Sequence, residues 1–350
     1  MGEKVLMKGN EAIGEAAVRA GCRFFAGYPI TPQNEIPAYM SRRLPEVEGV
    51  FVQAESEIAA VNMVYGAAGA GARAMTSSSS PGISLKQEGI SYLVGAELPA
   101  VIVNIVRGGP GLGGIQPAQS DYFQATRGGG HGDYRMVVYG PASVQELADL
   151  TAQAFEVADR YRNPVLVLGD GILGQMMEPL ELPPFREGPL PEKPWATTGG
   201  AHRVINSLFL DAQELENHNL RLAEKYRRMA AAEVRYAVTG DPAAQVHLVA
   251  YGTAARIAAE VVEEARREDI PAGLIRPITL WPFPQAAFEA ALPRSRGFLT
   301  VEMSLGQMVE DVRLAVEGRA PVRFYGRTGG MVPTVRDTLE ELRRFWRELN

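Results

Sequence analysis

Cysteine is nearly absent from this chain of 350 residues, in which Cys22 is the only one. A single thiol cannot form an intrachain disulfide, and it cannot supply the thiolates of an iron–sulfur cluster or a cysteine-based zinc site. The four histidines, at positions 131, 202, 218 and 247, lack the spacing of metal ligands. We therefore predict no metal site in this chain. We also expect any electron carrier to lie on another chain or in an organic cofactor.

The sequence also lacks a large excess of one charge and any long apolar run. The formal net charge is −6, which gives no general attraction to nucleic acid or to an anionic membrane. No uncharged apolar stretch reaches the roughly 20 residues of a membrane span. The first segment, MGEKVLMKGNEAIGEAA, has no apolar region of a signal peptide. We therefore expect a cytoplasmic protein with no nucleic-acid partner and no membrane partner.

Short apolar runs alternate with helical segments in the first part of the chain: CRFFAGY, GVFVQA, ARAMTS, AVIVNIV, RMVVYG and NPVLVLG. This alternation is typical of an α/β fold with a parallel sheet and crossover helices. A Pro-rich, charged stretch, PLELPPFREGPLPEKP, indicates a linker. A charge-rich helical segment follows, and then a second alternating unit. We predict a first domain over residues 1–183, a linker and helical arm over 184–245, and a smaller α/β domain over 246–350.

Glu57 follows one of these apolar runs and begins a helical segment composed almost wholly of Ala, Gly and apolar residues. Ser56 is placed to cap that helix, and the apolar character of nearly every face predicts that the helix is buried. Two interpretations of Glu57 remain open at this point. It is either a first-turn carboxylate that favours the helix dipole, or a carboxylate held in a dry site to hydrogen-bond a cofactor nitrogen.

Two further polar residues, Thr31 and Arg107, also follow apolar runs, and ligands of open α/β sheets bind at the carboxyl ends of the strands. Thr31 precedes Pro32, which predicts a helix N-cap and a first helical residue. Arg107 precedes the glycine-rich GGPGLGG, where backbone can approach a ligand closely. A guanidinium beside such a loop suits a small carboxylate. Taken alone, Thr31 also fits a simple cap, and Arg107 also fits a strand-end side chain in solvent.

Two other polar loops add candidates, and two motifs are discounted. We expect the Thr31 hydroxyl, the Glu57 carboxyl and the Arg107 guanidinium to share one rim, formed by the carboxyl ends of the strands. The turn TSSSSPG is either a plain Ser-rich turn or part of the same rim, and His131 in GGGHGDYR is either a surface or a pocket residue. GGPGLGG matches a dinucleotide fingerprint, but Pro117 falls where the helix should run. Gly169-Asp170-Gly171 resembles the start of a diphosphate–magnesium motif but is followed by the Pro-rich linker rather than an Asn partner.

These segments together resemble the alpha subunit of the 2-oxoacid:ferredoxin oxidoreductases, which are thiamine diphosphate enzymes, over nearly the whole chain. The similar segments are KGNEAIGEAAVRAGCRFFAGYPITPQNEIPAYM, QAESEIAAVNMVYGAAGAGARAMTSSSSPG, VIVNIVRGGPGLGG, GGGHGDYR and VEMSLGQM. The resemblance is greatest to the branched-chain, 2-oxoisovalerate type. It implies a pyrimidine-binding domain, with helices on both faces of a parallel sheet, and a domain similar to the transketolase C-terminal domain.

The resemblance also implies roles for individual residues. Glu57 matches the glutamate that bonds N1′ of the aminopyrimidine, since Gly66 follows it at the family's spacing, whereas Glu55 does not align. Thr31 and Arg107 match residues that meet the 2-oxo-carboxylate of the substrate. The turn formed by Ser80, Pro81 and Gly82 matches a loop on the cofactor side. Tyr28, in the YPITP turn, and His131 are further pocket candidates.

The implied reaction is oxidative decarboxylation of a 2-oxoacid to an acyl-CoA and carbon dioxide, with electrons passing to ferredoxin. Thiamine diphosphate would be shared with a beta subunit that carries the diphosphate and magnesium site. Gamma and ferredoxin-like subunits, the latter with 4Fe-4S clusters, would complete the complex, with coenzyme A as acyl acceptor. A pyruvate- or 2-oxoglutarate-specific member, a non-oxidative thiamine-dependent decarboxylase half and a non-catalytic anion-binding module remain alternatives.

Overall fold

The computed structural model describes residues 4–200 and 202–350. In chain order, the strands of this part are β1 (Lys4–Lys8), β2 (Phe24–Gly27), β3 (Val50–Gln53), β4 (Ala74–Ser78), β5 (Val101–Val106), β6 (Val137–Tyr139), β7 (Val165–Asp170), β8 (Met177–Glu181), β9 (Tyr236–Gly240), β10 (Val246–Val249), β11 (Ala272–Pro277), β12 (Thr279–Trp281), β13 (Gly297–Glu302) and β14 (Val322–Gly326). Every apolar run singled out in the sequence overlaps one of these strands.

The helices of the same residues connect these strands and cover the sheets. They are α1 (Gly9–Arg19), α2 (Glu35–Glu46), α3 (Glu57–Gly69), α4 (Pro81–Gly95), α5 (Tyr122–Arg127), α6 (Val144–Tyr161), α7 (Gly171–Gln175), α8 (Ala212–Ala232), α9 (Gly252–Arg267), α10 (Gln285–Ala291), α11 (Met308–Val316) and α12 (Val335–Leu349). None of these helices is long and apolar enough to cross a membrane.

The first sheet has seven strands in the order β12-β6-β7-β5-β4-β2-β3. All pairs are parallel except β12, which pairs antiparallel with β6. Because β3, β2, β4 and β5 are neighbours and parallel, the loops that follow them emerge side by side at one edge of the sheet. The predicted α/β fold with a parallel sheet is therefore confirmed.

The second sheet has five strands in the order β14-β13-β10-β11-β9, with only β9 antiparallel. Strand β9 lies before residue 246, where the second domain was predicted to begin, and β12 lies after it but joins the first sheet. The second half of the chain thus contributes to both sheets. A separate two-stranded sheet, β1 with β8, covers a small cluster on α1 and α6.

Helix α8 is part of the core rather than a projecting arm. Its Leu222, Tyr226 and Met229 are buried in the main hydrophobic cluster. The ring of His218 lies 2.8 Å from the backbone oxygen of Gly95, and Lys225 bonds Glu97. The predicted helix is present, but the interpretation as an arm is wrong, because its apolar stripe packs on the first domain.

Helices α3 and α4 pack against each other through glycine. A Cβ added at Gly89 would lie 2.5 Å from Cγ1 of Val61, so the two helices touch where α4 has no side chain. Val61 and Val64 are buried, but Ile58 and Met63 are 48% and 37% exposed. The prediction that α3 is buried holds for the face against α4 and the sheet, and it is wrong for the opposite face.

Candidate active site

The edge formed by the carboxyl ends of β3, β2, β4 and β5 carries the polar residues picked out from the sequence. Glu57 follows β3, Thr31 follows β2, Ser80 follows β4 and Arg107 follows β5. These strands are consecutive neighbours in the sheet. The expectation that a carboxyl, a hydroxyl and a guanidinium share one rim is therefore confirmed.

Glu57 is the first residue of α3, and the predicted N-cap at Ser56 is confirmed. The Ser56 hydroxyl accepts a hydrogen bond from the backbone N–H of Ala59 at 3.2 Å. The Glu57 side chain is only 5% exposed, yet residues 4–200 and 202–350 place no hydrogen-bond donor on its carboxylate. Buried polar groups in proteins are normally hydrogen-bonded. The carboxylate oxygens of Glu57 are therefore available to a ligand at this edge of the sheet.

Gly82 sits directly against the Glu57 carboxyl. A Cβ added at Gly82 would lie 2.6 Å from Oε1 of Glu57 and would also collide with Oγ of Ser78. Only glycine therefore lets the first turn of α4 approach the carboxylate so closely. This contact makes the Ser80–Gly82 turn one wall of the Glu57 site.

Ser80 connects this wall to Arg107. Its backbone is in an unusual conformation, with φ at 27° and ψ at −82°, a kind of strain that costs about 1–3 kcal/mol and often marks a functional site. Its N–H bonds Oδ1 of Asn104 at 3.1 Å, and its hydroxyl both donates to the backbone oxygen of Arg107 and accepts from the Arg107 N–H. These bonds hold the two loops together at the rim.

The Arg107 side chain is buried, with 8% exposed. Its guanidinium donates to the backbone oxygens of Thr31 at 3.0 Å and Leu112 at 3.2 Å. Its Nε has no acceptor among the residues that the structure describes. The interpretation of Arg107 as a strand-end side chain in solvent is therefore wrong.

Thr31 lies at the rim, but it is not a helix cap. The backbone N–H of Gln33 donates to the oxygen of Ile30 at 3.1 Å, which closes a turn before the helix. Helix α2 begins only at Glu35, with Asn34 in the capping position. The predicted roles of Thr31 as N-cap and Pro32 as first helical residue are wrong, because this turn intervenes. The exposed Thr31 side chain is instead free to face a ligand.

Two cavities lie next to the loops of the rim, and one of them also borders the second domain. One, of about 550 Å³, is lined by Ser80, Pro81, the glycines after Arg107 and Asp121, together with Leu305 and Gln307 of the second domain. The other, of about 720 Å³, is lined by Thr31, Pro32 and Gln116. Neither cavity is lined by Glu57 or Arg107 themselves, but each reaches loops that carry the rim and is large enough for a small organic ligand.

Three further residues at this site were not singled out in the sequence. Asn104 donates from Nδ2 to Oδ2 of Asp121 at 2.9 Å, and burial raises the pKa of Asp121, while the Asn104 and Ser80 hydrogen bonds oppose that shift. Lys86, on α4, is completely buried beside Glu57. Two features of the sequence could have indicated these residues. Asn104 is a polar residue inside the apolar run VIVNIV, and Lys86 follows Gly82 by four residues.

The two remaining candidates, Tyr28 and His131, differ in their position relative to this cluster. Tyr28, which is 39% exposed, is in the loop after β2, where its backbone oxygen accepts from Gln33. His131 is exposed, with its ring edge-on to Tyr92, and it lines a separate cleft next to α8. The structure therefore does not bring His131 to the rim that holds Glu57 and Arg107.

Asp170 has a structural role and does not begin a metal-binding motif. Its carboxylate caps α7 through the N–H groups of Ile172 and Leu173, and it accepts two further bonds from Thr253 of the second domain. Burial raises the pKa of Asp170, and the Thr253 bonds oppose that shift. Within the described ranges, no group of three or more His, Cys, Asp and Glu side chains is arranged for a metal ion.

The fold and the site define an α/β protein with a ligand-binding rim, in which a buried carboxyl and a buried guanidinium lie at the carboxyl ends of a parallel sheet. Comparison with known families agrees. Residues 15–235 match pyruvate flavodoxin/ferredoxin oxidoreductase, thiamine diphosphate-binding, and residues 244–338 match core domain II of pyruvate:ferredoxin oxidoreductase. The chain belongs to the 2-oxoacid:ferredoxin oxidoreductase family and is a subunit of a thiamine diphosphate-dependent enzyme.

Curated relatives cover nearly the whole chain. Ketoisovalerate oxidoreductase subunit VorB of Methanothermobacter thermautotrophicus is 52% identical over 97% of both chains. The 2-oxoglutarate synthase subunit KorA of the same organism is 40% identical over 95% of this chain and 96% of its own.

Solved structures show the same architecture. The 2-oxoglutarate:ferredoxin oxidoreductase from Magnetococcus marinus, with 2-oxoglutarate, coenzyme A and succinyl-CoA bound, has a TM-score of 0.87 at 25% identity. It matches all of this chain, which spans 66% of that one. A split-gene transketolase, described as an inactive beta4 tetramer, has a TM-score of 0.58 at 14% identity over 98% of both chains and shows the fold alone.

Proposed function

We propose that this chain is the cofactor-activating subunit of a branched-chain 2-oxoacid:ferredoxin oxidoreductase, which converts 2-oxoisovalerate and coenzyme A to an acyl-CoA and carbon dioxide and passes electrons to ferredoxin. The observation that carries this proposal is the buried Glu57 carboxylate, without a hydrogen-bond donor in the described residues, on the same rim as Arg107. The 52% identity to a ketoisovalerate enzyme subunit supports the branched-chain substrate. The 40% identity to a 2-oxoglutarate synthase subunit keeps 2-oxoglutarate as the second candidate.

The residues around Glu57 fit the aminopyrimidine half of thiamine diphosphate. Glu57 would hydrogen-bond the ring nitrogen N1′, and the Ser80–Gly82 turn, which contacts the Glu57 carboxyl through Gly82, would lie beside the ring. When bound, the cofactor supplies the electron sink that decarboxylation of a 2-oxoacid requires. The contribution of this chain would be to hold a proton at N1′ through a side chain that is almost completely buried.

Arg107 and Thr31 would hold the carboxylate end of the substrate. Two N–H groups of the guanidinium are bound to the backbone oxygens of Thr31 and Leu112, which fixes the plane of the fork. Its remaining N–H donors and the exposed Thr31 hydroxyl can then meet a carboxylate and a 2-oxo group. Arg107 would thus recognise the part of the substrate that all 2-oxoacids share.

Partner subunits would supply what this chain does not provide. Its one cysteine cannot ligate a 4Fe-4S cluster, so we assign the clusters to a ferredoxin-like subunit and place a gamma subunit in the complex. The diphosphate and magnesium site would belong to a beta subunit. Ile58 and Met63 on α3 and Leu85 on α4 are exposed apolar side chains, which this beta subunit would cover.

The Glu57→Gln variant of the complete complex tests the proposal. Gln keeps the volume of the side chain but cannot hold the proton that Glu57 shares with N1′, so we expect exchange of the cofactor C2 proton, followed by NMR, to slow at least a hundredfold. Glu55→Gln, two residues away on an exposed position, is the matched control and should exchange at close to the wild-type rate. Equal rates for wild type and Glu57→Gln would reject the assignment of Glu57.

The same complex distinguishes the alternative functions. Acyl-CoA formation that depends on a low-potential electron acceptor supports the oxidoreductase, whereas carbon dioxide release without acceptor or coenzyme A would indicate a non-oxidative decarboxylase half. A complex that turns over no 2-oxoacid would favour an anion-binding module. The values of kcat/KM for 2-oxoisovalerate, pyruvate and 2-oxoglutarate identify the preferred substrate.

A further inference from the structure

Lys86 is a completely buried lysine with no role in the function proposed above. It lies on α4 with 0% exposure. Its Nζ donates to Oγ1 of Thr76 at 3.0 Å and to the backbone oxygen of Glu57 at 3.4 Å. The Thr76 hydroxyl donates to the oxygen of Ala26 at 2.7 Å, so its lone pair is directed to the amine. Lys86 therefore joins β4 to the first residue of α3.

Lys86 lies on the face of α4 that is turned toward Glu57. It is four residues after Gly82, which contacts the Glu57 carboxyl, and residues four apart lie on the same face of a helix. Gly82 and Lys86 thus face α3 together, the first against the side chain of Glu57 and the second against its main chain.

A buried lysine is costly unless something requires its charge, because an ammonium loses its hydration on burial. Burial lowers the pKa of Lys86 to about 8, and the charge of Glu57 opposes that shift. The charged group of α3 that affects the Lys86 amine is Glu57. The residue of β4 that bonds the amine, Thr76, is neutral. Methionine would fill the same space without the cost.

We propose that Lys86 is a positioning residue for Glu57, which fixes the first turn of α3 and sets a positive charge near the carboxylate that holds N1′. The inference depends on the proposed function, since it assigns a support to the same carboxylate. Lys86 acts through Glu57 and does not touch the substrate. Its loss should therefore lower the rate of cofactor activation and leave the affinity for the 2-oxoacid nearly unchanged.

The Lys86→Met variant of the complete complex is the main test. We expect C2 proton exchange and kcat to fall by roughly tenfold to a hundredfold, as for loss of one hydrogen bond to a charged group, with KM for the 2-oxoacid within about twofold. The wild-type exchange rate should also change with pH near 8, where the amine titrates, and this component should be missing in Lys86→Met.

Thermal unfolding without cofactor supplies a second, activity-independent measurement. Because the pKa of Lys86 is lowered in the folded state from 10.5 to about 8, the full cost of the buried charge is present below pH 8. Between these two values the unfolded state binds more protons, so wild-type stability rises with pH. Lys86→Met should therefore have a higher Tm than wild type at pH 7, and this advantage should shrink as the pH approaches 10.

Lys225 gives a matched control. It is also a buried lysine whose pKa is lowered to about 8 by burial, but it lies on α8, where it bonds Glu97, away from the rim. Lys225→Met should leave C2 exchange and its pH profile unchanged.

A second pair of variants, Thr76→Val and Thr76→Ser, tests the hydrogen bond between Lys86 and the Thr76 hydroxyl without changing the lysine. Val should slow exchange, and Ser, which keeps the hydroxyl, should restore it.

The outcomes separate this inference from the proposed function. Slow exchange in Glu57→Gln together with wild-type exchange in Lys86→Met and Thr76→Val would overturn the role of Lys86 alone. Wild-type exchange in Glu57→Gln would overturn the proposed function itself. In the double variant with Glu57→Gln, Lys86→Met should cause no further loss, because both changes act through one carboxylate.

Discussion

Arg107 illustrates how the meaning of a single residue changes once its surroundings are known. In the sequence it is a strand-end arginine before a glycine-rich loop. In the structure it is buried, and its guanidinium supports the backbone of Thr31 and Leu112. It therefore joins two loops of the rim, so removal of this side chain affects loop geometry as well as any bound anion.

We expect Arg107→Ala to lower kcat/KM for every 2-oxoacid by about tenfold to a hundredfold, the effect of about 1.5–3 kcal/mol for a charge-assisted contact. Lys should restore only part of the rate, because an ammonium lacks the planar fork that reaches both carbonyls. Steady-state kinetics with 2-oxoisovalerate, pyruvate and 2-oxoglutarate provide the measurement. A loss confined to one substrate would show that Arg107 reads the variable side chain instead of the shared carboxylate.

At the scale of elements, the parallel strands of both sheets, their order along the chain and the cap of α3 could be predicted, because apolar periodicity and capping are local signals. The antiparallel strands β1, β8, β9 and β12 were missed. Knowledge that ligands bind at strand ends then sufficed to place Glu57 and Arg107 on one rim. The turn at Thr31 was missed because it depends on the path of the chain between β2 and α2. Lys86 was missed because its burial depends on the packing of α3 against α4, which no single segment encodes.

The contact between α3 and α4 makes a prediction about Gly82. A Cβ there would meet Oε1 of Glu57 at 2.6 Å, so Gly82→Ala must push the carboxyl or the helix aside. We expect C2 exchange to fall at least tenfold and the free energy of unfolding to decrease by about 1–3 kcal/mol, the usual cost of overpacking. NMR exchange and urea unfolding of the complex measure the two effects.

Gly66 supplies the control for that experiment on the neighbouring helix. No atom lies within 4 Å of a Cβ added at Gly66, so Ala there should stabilise α3 by about 0.5–1 kcal/mol through helix propensity. Its C2 exchange should match wild type. If both alanine variants lost exchange to the same extent, the effect would come from rigidity of the helices, and the close approach of Gly82 to Glu57 would not be its cause.

At the scale of the whole molecule, a few polar contacts fix the two α/β units on either side of the rim. Gln119 bonds the backbone of Tyr251 and Met303, Tyr122 bonds Asp311 at 2.6 Å, and Arg276 forms a two-pronged pair with Glu146. Because Leu305 and Gln307 of the second unit line the cavity beside Ser80, these contacts set the width of the site.

Among the polar contacts between the two α/β units, those of Asp170 allow the sharpest test. Its four accepted hydrogen bonds come from α7 and from Thr253 at the start of α9. In Asp170→Asn, an amide group would replace one oxygen and face a backbone N–H, so a buried donor would lose its acceptor. We expect the free energy of unfolding to fall by about 1–3 kcal/mol, measured by urea titration of the complex.

A control for Asp170 is Asp241→Asn, in a turn where the carboxylate accepts one exposed backbone bond from Ala243. Asn preserves such a bond, so the free energy of unfolding should change by only a few tenths of a kcal/mol in Asp241→Asn.

The magnesium concentration for half-maximal activity of the complex should be the same for wild type and Asp170→Asn, since the Asp170 carboxylate is fully occupied by protein donors. An Asp170→Asn complex of wild-type stability that needed much more magnesium would show instead that the Gly-Asp-Gly turn holds the metal and that the second domain is positioned by the remaining contacts.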